Sequence, residues 1–404
     1  SAASDVYKRQ GQDMDFFKRA AELQEETVEN RRYLHQNAEV GLELPRTKKY
    51  IMEKLREYGM EPQECGHGVV AMVGKKTKGK VILLKADMDA LPMEERSGLP
   101  FACPTGTEAH TCGHDLNSAM LLTAARMLKE QEEELEGRVK IVFEPAEEIF
   151  KGGKDMIAAG VLQNPEVDAA LSFHIGPGGP PGGYFFNKDG ATMASCDGFR
   201  IKIAGAGAHG AYPHLAKDPL NAAVKIYEAL QEVVALECDP AETCTLTIGH
   251  MQAGTVFNII PDTAVMEGSI RTMSREMRKL LVTRMKEIVN KTAEMFHVEA
   301  EIEMLSEVPP LICNQKLADE MLGYLDQVPV SNKYSVPGVK SSASDDFAEI
   351  TERVPGVYMF LAGGFADREA GVSHSPEVQF NEEALLFGAG AFAYCASEWL
   401  KNNQ

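Results

Sequence analysis

The feature that most constrains the fold is a series of short apolar runs, each of which ends in polar or acidic residues. Val81 to Leu84 is a continuous apolar run, and Val139 to Phe143 and Ala169 to His174 follow the same pattern further along the chain. Such runs are typical of strands that are buried on both faces. Because predicted helices separate them, at 119–136 and 154–159, the sequence predicts a parallel α/β layer, in which functional sites form at the carboxyl ends of strands.

The pattern changes after a segment rich in glycine and proline at 176–183. Phe199 to Ile203 alternates between apolar and basic residues, as a strand with one solvent-exposed face does. The elements that follow are predicted in the order helix, strand, strand, helix, strand, at 219–236, 243–249, 262–271, 274–296 and 297–305. This is the element order of a ferredoxin-like α+β unit, so an inserted second domain is predicted.

These patterns divide the chain into four segments. Residues 1–12 are interpreted as a disordered tag or assembly remnant, 13–194 as the first part of the α/β domain, 195–307 as the inserted domain and 308–404 as the second part of the α/β domain. The first part opens with helices and continues with a hairpin-like region, whose turn is predicted at 74–79.

Composition excludes several classes of function. The formal net charge of −19, without a cluster of lysines and arginines, argues against nucleic-acid binding and favours a small-molecule substrate. No apolar run reaches the roughly 20 residues that cross a bilayer, and residues 1–10 lack the apolar part of a secretory signal. The eight cysteines are scattered without the spacing of a disulfide framework, which favours the cytoplasm.

Potential metal ligands lie in the turns that follow the predicted strands. Cys112 and His114 are two positions apart in a glycine-containing turn, Glu148 follows one buried strand, and His174 ends another. His374 lies in a tight Ser-His-Ser-Pro loop near the C-terminus. Because the carboxyl ends of parallel strands meet at one edge, these side chains are expected to lie together. A thiolate, three imidazoles and a carboxylate suit zinc, cobalt, nickel or manganese.

Five protein ligands exceed the number that one catalytic zinc ion takes, so a two-metal site is the favoured interpretation. Cys112 would bridge the two ions, because a thiolate can contact two metals. Two ions about 3.5–4 Å apart lower the pKa of a water between them towards about 7, which makes hydroxide available at neutral pH. Glu147 would then be free to take the proton from that water and pass it to a leaving amine.

Each of these residues also has a purely structural interpretation. Paired glutamates are common on wet surfaces, and buried histidines often bond to backbone carbonyls. Asp87, Asp89 and Asp115 are candidates for orienting the ligand imidazoles, with ordinary loop solvation as the alternative. The histidines that are less well placed for a metal site are His35, His67, His250 and His297.

The inserted domain carries a separate polar group. His209 lies in a glycine-rich turn after a predicted strand, Asn258 lies in a loop, and Arg271 ends the strand that follows. An arginine can bind a carboxylate through two hydrogen bonds, and histidine or asparagine can donate to a developing oxyanion. Turn and surface residues of a small α+β domain are the alternative interpretation.

Several segments, taken in order, resemble one enzyme family: KADMDALP, HTCGHD, EPAEE, SFHIGP, GAGAHGAYPH, GTVFNIIPD with GSIRT, and VSHSPE. The chain is similar to the aminoacylase, hippurate hydrolase and indole-acetyl-amino-acid hydrolase branch of the two-metal carboxypeptidase and aminoacylase superfamily. The resemblance implies a zinc-exopeptidase-like α/β catalytic domain interrupted by a ferredoxin-like lid and dimerisation domain. It also implies a homodimer or a dimer of dimers.

The resemblance implies a site as well as a fold. Two divalent metal ions per subunit would be held by Cys112, His114, Glu148, His174 and His374, with Glu147 as the general base. His209 would reach the partner subunit's active site and stabilise the oxyanion, while Asn258 and Arg271 bind the substrate. The predicted activity is a metal-dependent amidohydrolase that cleaves N-acyl amino acids or related conjugates next to a free carboxylate.

Two alternatives keep the same residues and change the function. A dipeptidase would use the same metals on a dipeptide with a free amine, and would need an acidic partner for that amine. A non-catalytic, metal-bearing binding protein is the remoter alternative, although every predicted ligand and the predicted base are present.

Overall fold

The computed structural model of the protein describes residues 14–404. The predicted tag or assembly remnant at 1–12 lies outside the described residues. The chain forms two compact units. The first unit takes the chain up to Asp189, together with Ile312–Val339 and Glu349–Gln404, and the second takes Gly190–Leu311 and Lys340–Ala348.

The first unit opens with most of its helices and strands. In chain order they are α1 (Phe16–Glu22), α2 (Gln24–Gln36), α3 (Pro45–Glu57), β1 (Gln63–Cys65), β2 (Gly68–Val73), β3 (Val81–Asp87), α4 (His114–Glu130), β4 (Arg138–Glu144), α5 (Gly152–Ala158), β5 (Ala169–Gly176) and β6 (Gly183–Phe185).

The inserted segment and the C-terminal segment complete the list. Their elements are β7 (Ala191–Met193), β8 (Asp197–Ala204), β9 (Ala208–His209), α6 (Pro219–Leu236), β10 (Cys244–Ala253), β11 (Ile259–Ile260), β12 (Thr263–Thr272), α7 (Arg275–Met295), β13 (Glu299–Met304), β14 (Leu311–Ile312), α8 (Gln315–Asp326), β15 (Tyr334–Val336), α9 (Phe347–Thr351), β16 (Gly356–Ala362) and α10 (Leu385–Asn402).

The first unit is built on an eight-stranded sheet with the order β1-β2-β4-β3-β5-β16-β6-β15. Its central pairings, β4 with β3, β3 with β5 and β5 with β16, are parallel, and so is β6 with β15. The remaining pairings, which involve β1, β2 and the contact of β16 with β6, are antiparallel. Every residue of β3 is buried, as expected for a strand covered on both faces. The predicted mostly parallel α/β sheet is confirmed.

The prediction of a hairpin turn at 74–79 is wrong, because the strands before and after this turn do not pair with each other. Strand β2 precedes this turn and β3 follows it, but the two strands are not neighbours, because β4 lies between them. Strand β2 pairs antiparallel with β4 and β3 pairs parallel with the same strand. The turn is therefore a connection across one strand, which local turn composition cannot distinguish from a hairpin.

Helix α4 is the central helix of the first unit and sets the position of the turn before it. It packs against β3 on one side and against α2 and α10 on others, and nearly all its residues are buried. A helix that is apolar on most of its surface is expected to be buried in this way. Its first residue is His114, five positions before the predicted start at 119, because Gly113 at φ 89° turns the chain directly into the helix.

One buried lysine binds the connection that follows α5. Lys140 lies in β4 and its ammonium group donates to the carbonyl oxygens of Val161, Gln163 and Pro165, at 2.8, 3.0 and 2.8 Å. Burial lowers the pKa of this lysine to about 8. We call Lys140 and these three carbonyl groups the Lys140 cluster, and its polar atoms satisfy one another.

The second unit contains a four-stranded antiparallel sheet with the order β10-β12-β8-β13. Helices α6 and α7 pack on the sheet and form a core with the inward side chains of the strands. Along β13 exposed and half-buried residues alternate, so this strand has one wet face. The predicted ferredoxin-like element order is confirmed, while the domain boundaries at 195 and 307 stay a prediction.

None of the helices in the described part of the chain combines the length and apolar composition that crossing a bilayer requires.

Candidate metal centre

The carboxyl ends of β3, β4 and β5 form one edge of the large sheet. In the parallel register Asp87 at the end of β3 is opposite Glu144 at the end of β4. The glutamate pair 147–148 follows β4 after a short turn, and His174 lies near the end of β5. The sheet therefore gathers these side chains at one place, although they are far apart in the sequence.

Cys112 is shared by two groups of potential metal ligands. Its thiol lies within 4.8 Å of ligand atoms of His114 and His174, and the same limit holds for a second group with Glu148 and His374. These are the five residues that the sequence predicts as metal ligands, and the structure brings all of them together. We call this set the Cys112 cluster. A single thiol between two ligand groups has the position that a bridging ligand needs.

The imidazoles of His114 and His174 turn one nitrogen towards the cluster. His114 Nδ1 donates to the backbone oxygen of Asp89 at 2.8 Å, and His174 Nδ1 donates to that of Ile175 at 2.7 Å. These bonds leave Nε2 of each ring to face the cluster, and His174 Nε2 is 3.8 Å from Cys112 Sγ. A backbone carbonyl that holds the other ring nitrogen is the usual arrangement for a metal-binding histidine.

Two buried polar atoms of the cluster lack a protein partner. His114 Nε2 and Glu148 Oε1 are buried and form no hydrogen bond with the described residues. The two atoms are 3.7 Å apart, and Glu148 Oε2 is 3.3 Å from His374 Nε2. A buried polar atom without a hydrogen bond is costly, whereas divalent cations bound by the cluster would satisfy both atoms. The residues present therefore fit a metal ion.

The neighbouring charges shift the pKa values within the cluster. Burial favours the neutral Cys112 thiol, but the charge of His114 and the contacts with His114 and His174 together outweigh burial and lower the pKa of the thiol to about 6. Burial also opposes ionisation of Glu148, yet contact with His374 and the charge of His114 lower its pKa to about 2. The pKa of His374 is raised to about 10 by its contacts with Cys112 and Glu148. The Cys112 thiolate and the Glu148 carboxylate thus favour protonated histidines beside them. A divalent cation can replace the protons of those histidines.

Left-handed backbone conformations flank the candidate ligands. Ala146 and Phe150 have φ values of 52° and 55° on either side of the glutamate pair, and His374 has a φ of 68°. Residues with a side chain rarely adopt this conformation, and it concentrates at functional sites. A Cβ on Gly152 would come within 1.6 Å of the backbone oxygen of Pro145, so the chain after the pair can return only through a glycine.

The three aspartates predicted to orient imidazoles have different surroundings. Asp89 Oδ1 is 3.3 Å from His114 Nδ1, and Asp89 Oδ2 accepts from the backbone N–H of Glu148 at 3.1 Å. Asp87 lies in a further potential ligand group with His114 and Glu147. Asp115, in contrast, contacts Arg31 and His35. Its contacts thus do not support a direct role on the imidazoles of the Cys112 cluster.

Glu147 lies beside the predicted ligands but in a different group from Glu148. It is buried, and its Oε2 atom is 3.7 Å from His114 Nε2. Glu148, the next residue, belongs to the group with Cys112 and His374, whereas Glu147 groups with Asp87 and His114. The two adjacent carboxylates thus face different surroundings, as a ligand and a proton acceptor would.

The residues predicted to bind substrate lie in the second unit. His209 in β9 pairs with Ile259 of β11, next to Asn258, and its Nδ1 accepts from the backbone N–H of Ala211 at 3.0 Å. Both His209 and Asn258 are exposed. Arg271 lies in β12 and donates to Ser344 Oγ at 3.1 Å. Their predicted roles stay predictions.

Sequence reasoning missed a second buried group in the first unit. Arg31 and His35 of α2 contact Asp115, and His35 also contacts Glu95. From the sequence, His35 is less well placed for a metal site than His174 or His374, and the structure places it in the last turn of α2. Its spacing of four residues from Arg31 on one helix face was the available signal.

Proteins of known function are similar to this chain over nearly its whole length. The N-acetyl-L-cysteine deacetylase of Bacillus subtilis (strain 168) is 33% identical over 384 residues, which are 95% of this chain and 90% of that protein. The hippurate hydrolase of Campylobacter jejuni is 33% identical over 391 residues, 96% of this chain and 100% of that protein.

A solved structure is similar as well. The crystal structure of a Bacillus subtilis protein, described as a dinuclear metal binding peptidase from the M20 family, superposes with a TM-score of 0.79 and 30% identity, over 94% of this chain and 99% of that one. The family model described as Peptidase family M20/M25/M40 matches residues 83–398, a range that contains the whole Cys112 cluster. The chain therefore belongs to peptidase family M20/M25/M40.

Proposed function

We propose that the protein is a metal-dependent amidohydrolase that cleaves the amide bond of N-acyl amino acids or related conjugates, next to a free carboxylate. The observation that carries this proposal is the position of Cys112 in two ligand groups at the carboxyl edge of the sheet. Relatives named as a deacetylase of an N-acetylated amino acid and as a hippurate hydrolase support the substrate class.

The Cys112 cluster would hold two divalent ions of zinc, manganese, cobalt or nickel. Cys112 would bridge, with His114 and His174 on one side and Glu148 and His374 on the other. When bound, such a pair of ions supplies Lewis acidity to the scissile carbonyl and lowers the pKa of a water towards about 7.

Glu147 is the proposed general base. It is buried beside the cluster, with Oε2 3.7 Å from His114 Nε2, and would accept a proton from the attacking water. The same carboxyl group can then donate that proton to the departing amine nitrogen. Asp89 would support this arrangement by bonding to the backbone of Glu148 and by lying beside His114.

The second unit would supply substrate recognition. We propose that His209 donates to the oxyanion in the active site of the partner subunit and that Asn258 and Arg271 bind the substrate, whose carboxylate suits an arginine. This assignment requires a homodimer or a dimer of dimers. A strictly monomeric protein with full activity in solution would contradict it.

The cytoplasm is the proposed location. All eight cysteines are free thiols, as a reducing compartment maintains them.

The decisive experiment measures amine release by metal-reconstituted protein from N-acetyl, N-benzoyl and longer N-acyl amino acids, with dipeptides in parallel. Turnover of the acylated substrates, with little turnover of the dipeptides, is the expected result. Preference for dipeptides would replace the proposal by a dipeptidase that uses the same residues. Metal content without turnover of any amide would favour a binding protein.

A further inference from the structure

Buried charged side chains extend from the start of α4, the helix that begins at His114, through α2 to the loop that carries Glu95. Asp115, the residue after His114, accepts through Oδ2 from Arg31 Nε and from His35 Nδ1, both at 2.8 Å. The second ring nitrogen of His35 contacts a carboxylate oxygen of Glu95. The side chains of His35 and Glu95 are each 3% exposed, so the contacts are shielded from water.

Arg96, the residue after Glu95, links these buried side chains to the loop that carries His374. The backbone N–H of Arg96 donates to the backbone oxygen of Pro376 at 2.7 Å, two residues after His374. The Arg96 guanidinium also pairs with Glu377 at 2.7 Å. The backbone N–H of His374 in turn donates to the backbone oxygen of Thr111 at 2.9 Å, beside Cys112. Segment 94–97 is therefore linked to the start of α4 through His35, and it contacts the His374 loop directly.

Stability alone does not account for this arrangement. Taking two ionised groups out of water costs several kcal/mol per ion, and apolar side chains of similar volume are often as stabilising. The geometry of a buried charged pair, however, is restrictive, because hydrogen bonds fix both partners in direction and distance. A pair of this kind is suited to setting the spacing of the segments that it joins.

We propose that His35 and Glu95 are positioning residues, which hold the His114 helix and the His374 loop at the separation that binding of two metal ions requires. The inference rests on the proposed function, since it concerns the same metal site. Neither residue contacts a member of the Cys112 cluster directly. Their effect on the metals passes through Asp115 on one side and through the backbone of Arg96 on the other.

The test compares metal binding by Glu95→Ala, Glu95→Gln and a structural control, Lys140→Met. Metal content and affinity are measured by titrating the metal-free protein with manganese and with cobalt, and the cobalt absorption spectrum reports the ligand geometry. We expect Glu95→Ala to weaken metal affinity by about 10- to 100-fold and to change the cobalt spectrum. Glu95→Gln keeps an acceptor for His35 and should restore both properties.

The control separates positioning from general destabilisation. Lys140→Met also removes a buried charged group of the first unit. The ammonium group of Lys140 donates to the carbonyl groups of Val161, Gln163 and Pro165, none of which is a predicted metal ligand, so the substitution should lower stability without changing metal affinity. If Glu95→Ala does not fold, His35→Asn serves instead, because its amide can reach Asp115 but not Glu95, and the same weakening is expected.

The possible results lead to different conclusions. Unchanged metal affinity and cobalt spectrum in Glu95→Ala or His35→Asn would overturn the positioning role, as would equal weakening by Lys140→Met. Wild-type protein that binds no divalent metal would instead overturn the proposed function, and the two failures are therefore distinguishable.

Discussion

The Cys112 cluster and the Lys140 cluster both lie in the first unit beside the large sheet. They differ in whether their buried polar atoms are hydrogen-bonded. Lys140 donates to three backbone carbonyl groups, so the burial of its charge is compensated within the protein. In the Cys112 cluster, His114 Nε2 and Glu148 Oε1 are buried and form no hydrogen bond with the described residues. The backbone beside the cluster is also left-handed at Ala146 and His374.

The difference shows how a functional cluster can be separated from a structural one. A buried polar group that serves stability is hydrogen-bonded, and removing it leaves its partners unsatisfied. A group that awaits a ligand carries that cost itself until the ligand binds. Replacing residues of the two clusters should therefore affect different quantities: metal binding and turnover for one, and the free energy of unfolding for the other.

The largest expected effect is that of Cys112→Ala. Because this thiol belongs to both ligand groups, its loss should weaken both metal sites and abolish measurable turnover. His374 belongs to one of these two groups, so His374→Ala should reduce metal content by one ion rather than two. Metal analysis after gel filtration measures both, and equal metal content in the two variants would contradict a shared ligand.

Glu147→Gln should be nearly as severe for turnover but not for metal binding. Loss of a general base typically costs about 10²–10⁴-fold in rate, so kcat should fall by that factor while both metal ions remain. Glu134→Gln, at an exposed position after α4, is the matched control and should be silent. A Glu147→Gln protein with the wild-type rate would remove Glu147 from the mechanism.

Lys140→Met should change the stability of the protein and not its activity. Carbonyl groups left without a donor should lower the free energy of unfolding by about 1–3 kcal/mol, while the specific activity of the folded protein stays unchanged. Chemical denaturation of the metal-free proteins measures the difference, with Lys49→Met as control because that side chain is 76% exposed. A matching loss of activity in Lys140→Met would mean that the two clusters are not independent.

The smallest effect is expected for a solvent-exposed ion cluster in the second unit. Arg200 pairs with Glu267 and Glu303 at 2.6 and 3.0 Å on the sheet. Solvent-exposed pairs of this kind contribute little to stability and are screened by salt. Arg200→Ala should therefore lower the unfolding free energy much less than Lys140→Met does, and less still at high salt. A loss as large as that of Lys140→Met would show that burial is not what separates the clusters.

The large features of the fold could be predicted because they depend on local pattern. Continuous apolar runs predicted β3, β4 and β5, and alternation predicted β8 of the second unit. The grouping of Cys112, His114, Glu148, His174 and His374 followed from a general property of parallel sheets, whose carboxyl ends share an edge.

The remaining features depend on contacts between distant parts of the chain. The insertion of β4 between β2 and β3 is a choice of strand order, which the turn at 74–79 does not reveal. Likewise, the contact of His35 with Glu95 joins a helix face to a loop 60 residues later. Asp115 is a sequence candidate for orienting the ligand imidazoles, with loop solvation as the alternative, but its carboxylate contacts Arg31 and His35 of α2. Side-chain direction at the start of α4 is set by packing rather than by sequence spacing.

The pairing of β5 with β16 has a consequence for synthesis of the protein on the ribosome. Strand β5 ends at Gly176, but its partner begins only at Gly356, after the complete sheet of the second unit. The four-stranded sheet of the second unit can form from a continuous stretch of nascent chain, whereas the large sheet must wait for distant residues, and such non-local pairing is slow. Until then, the edge of the strand that carries His174 is open to pairing with other chains.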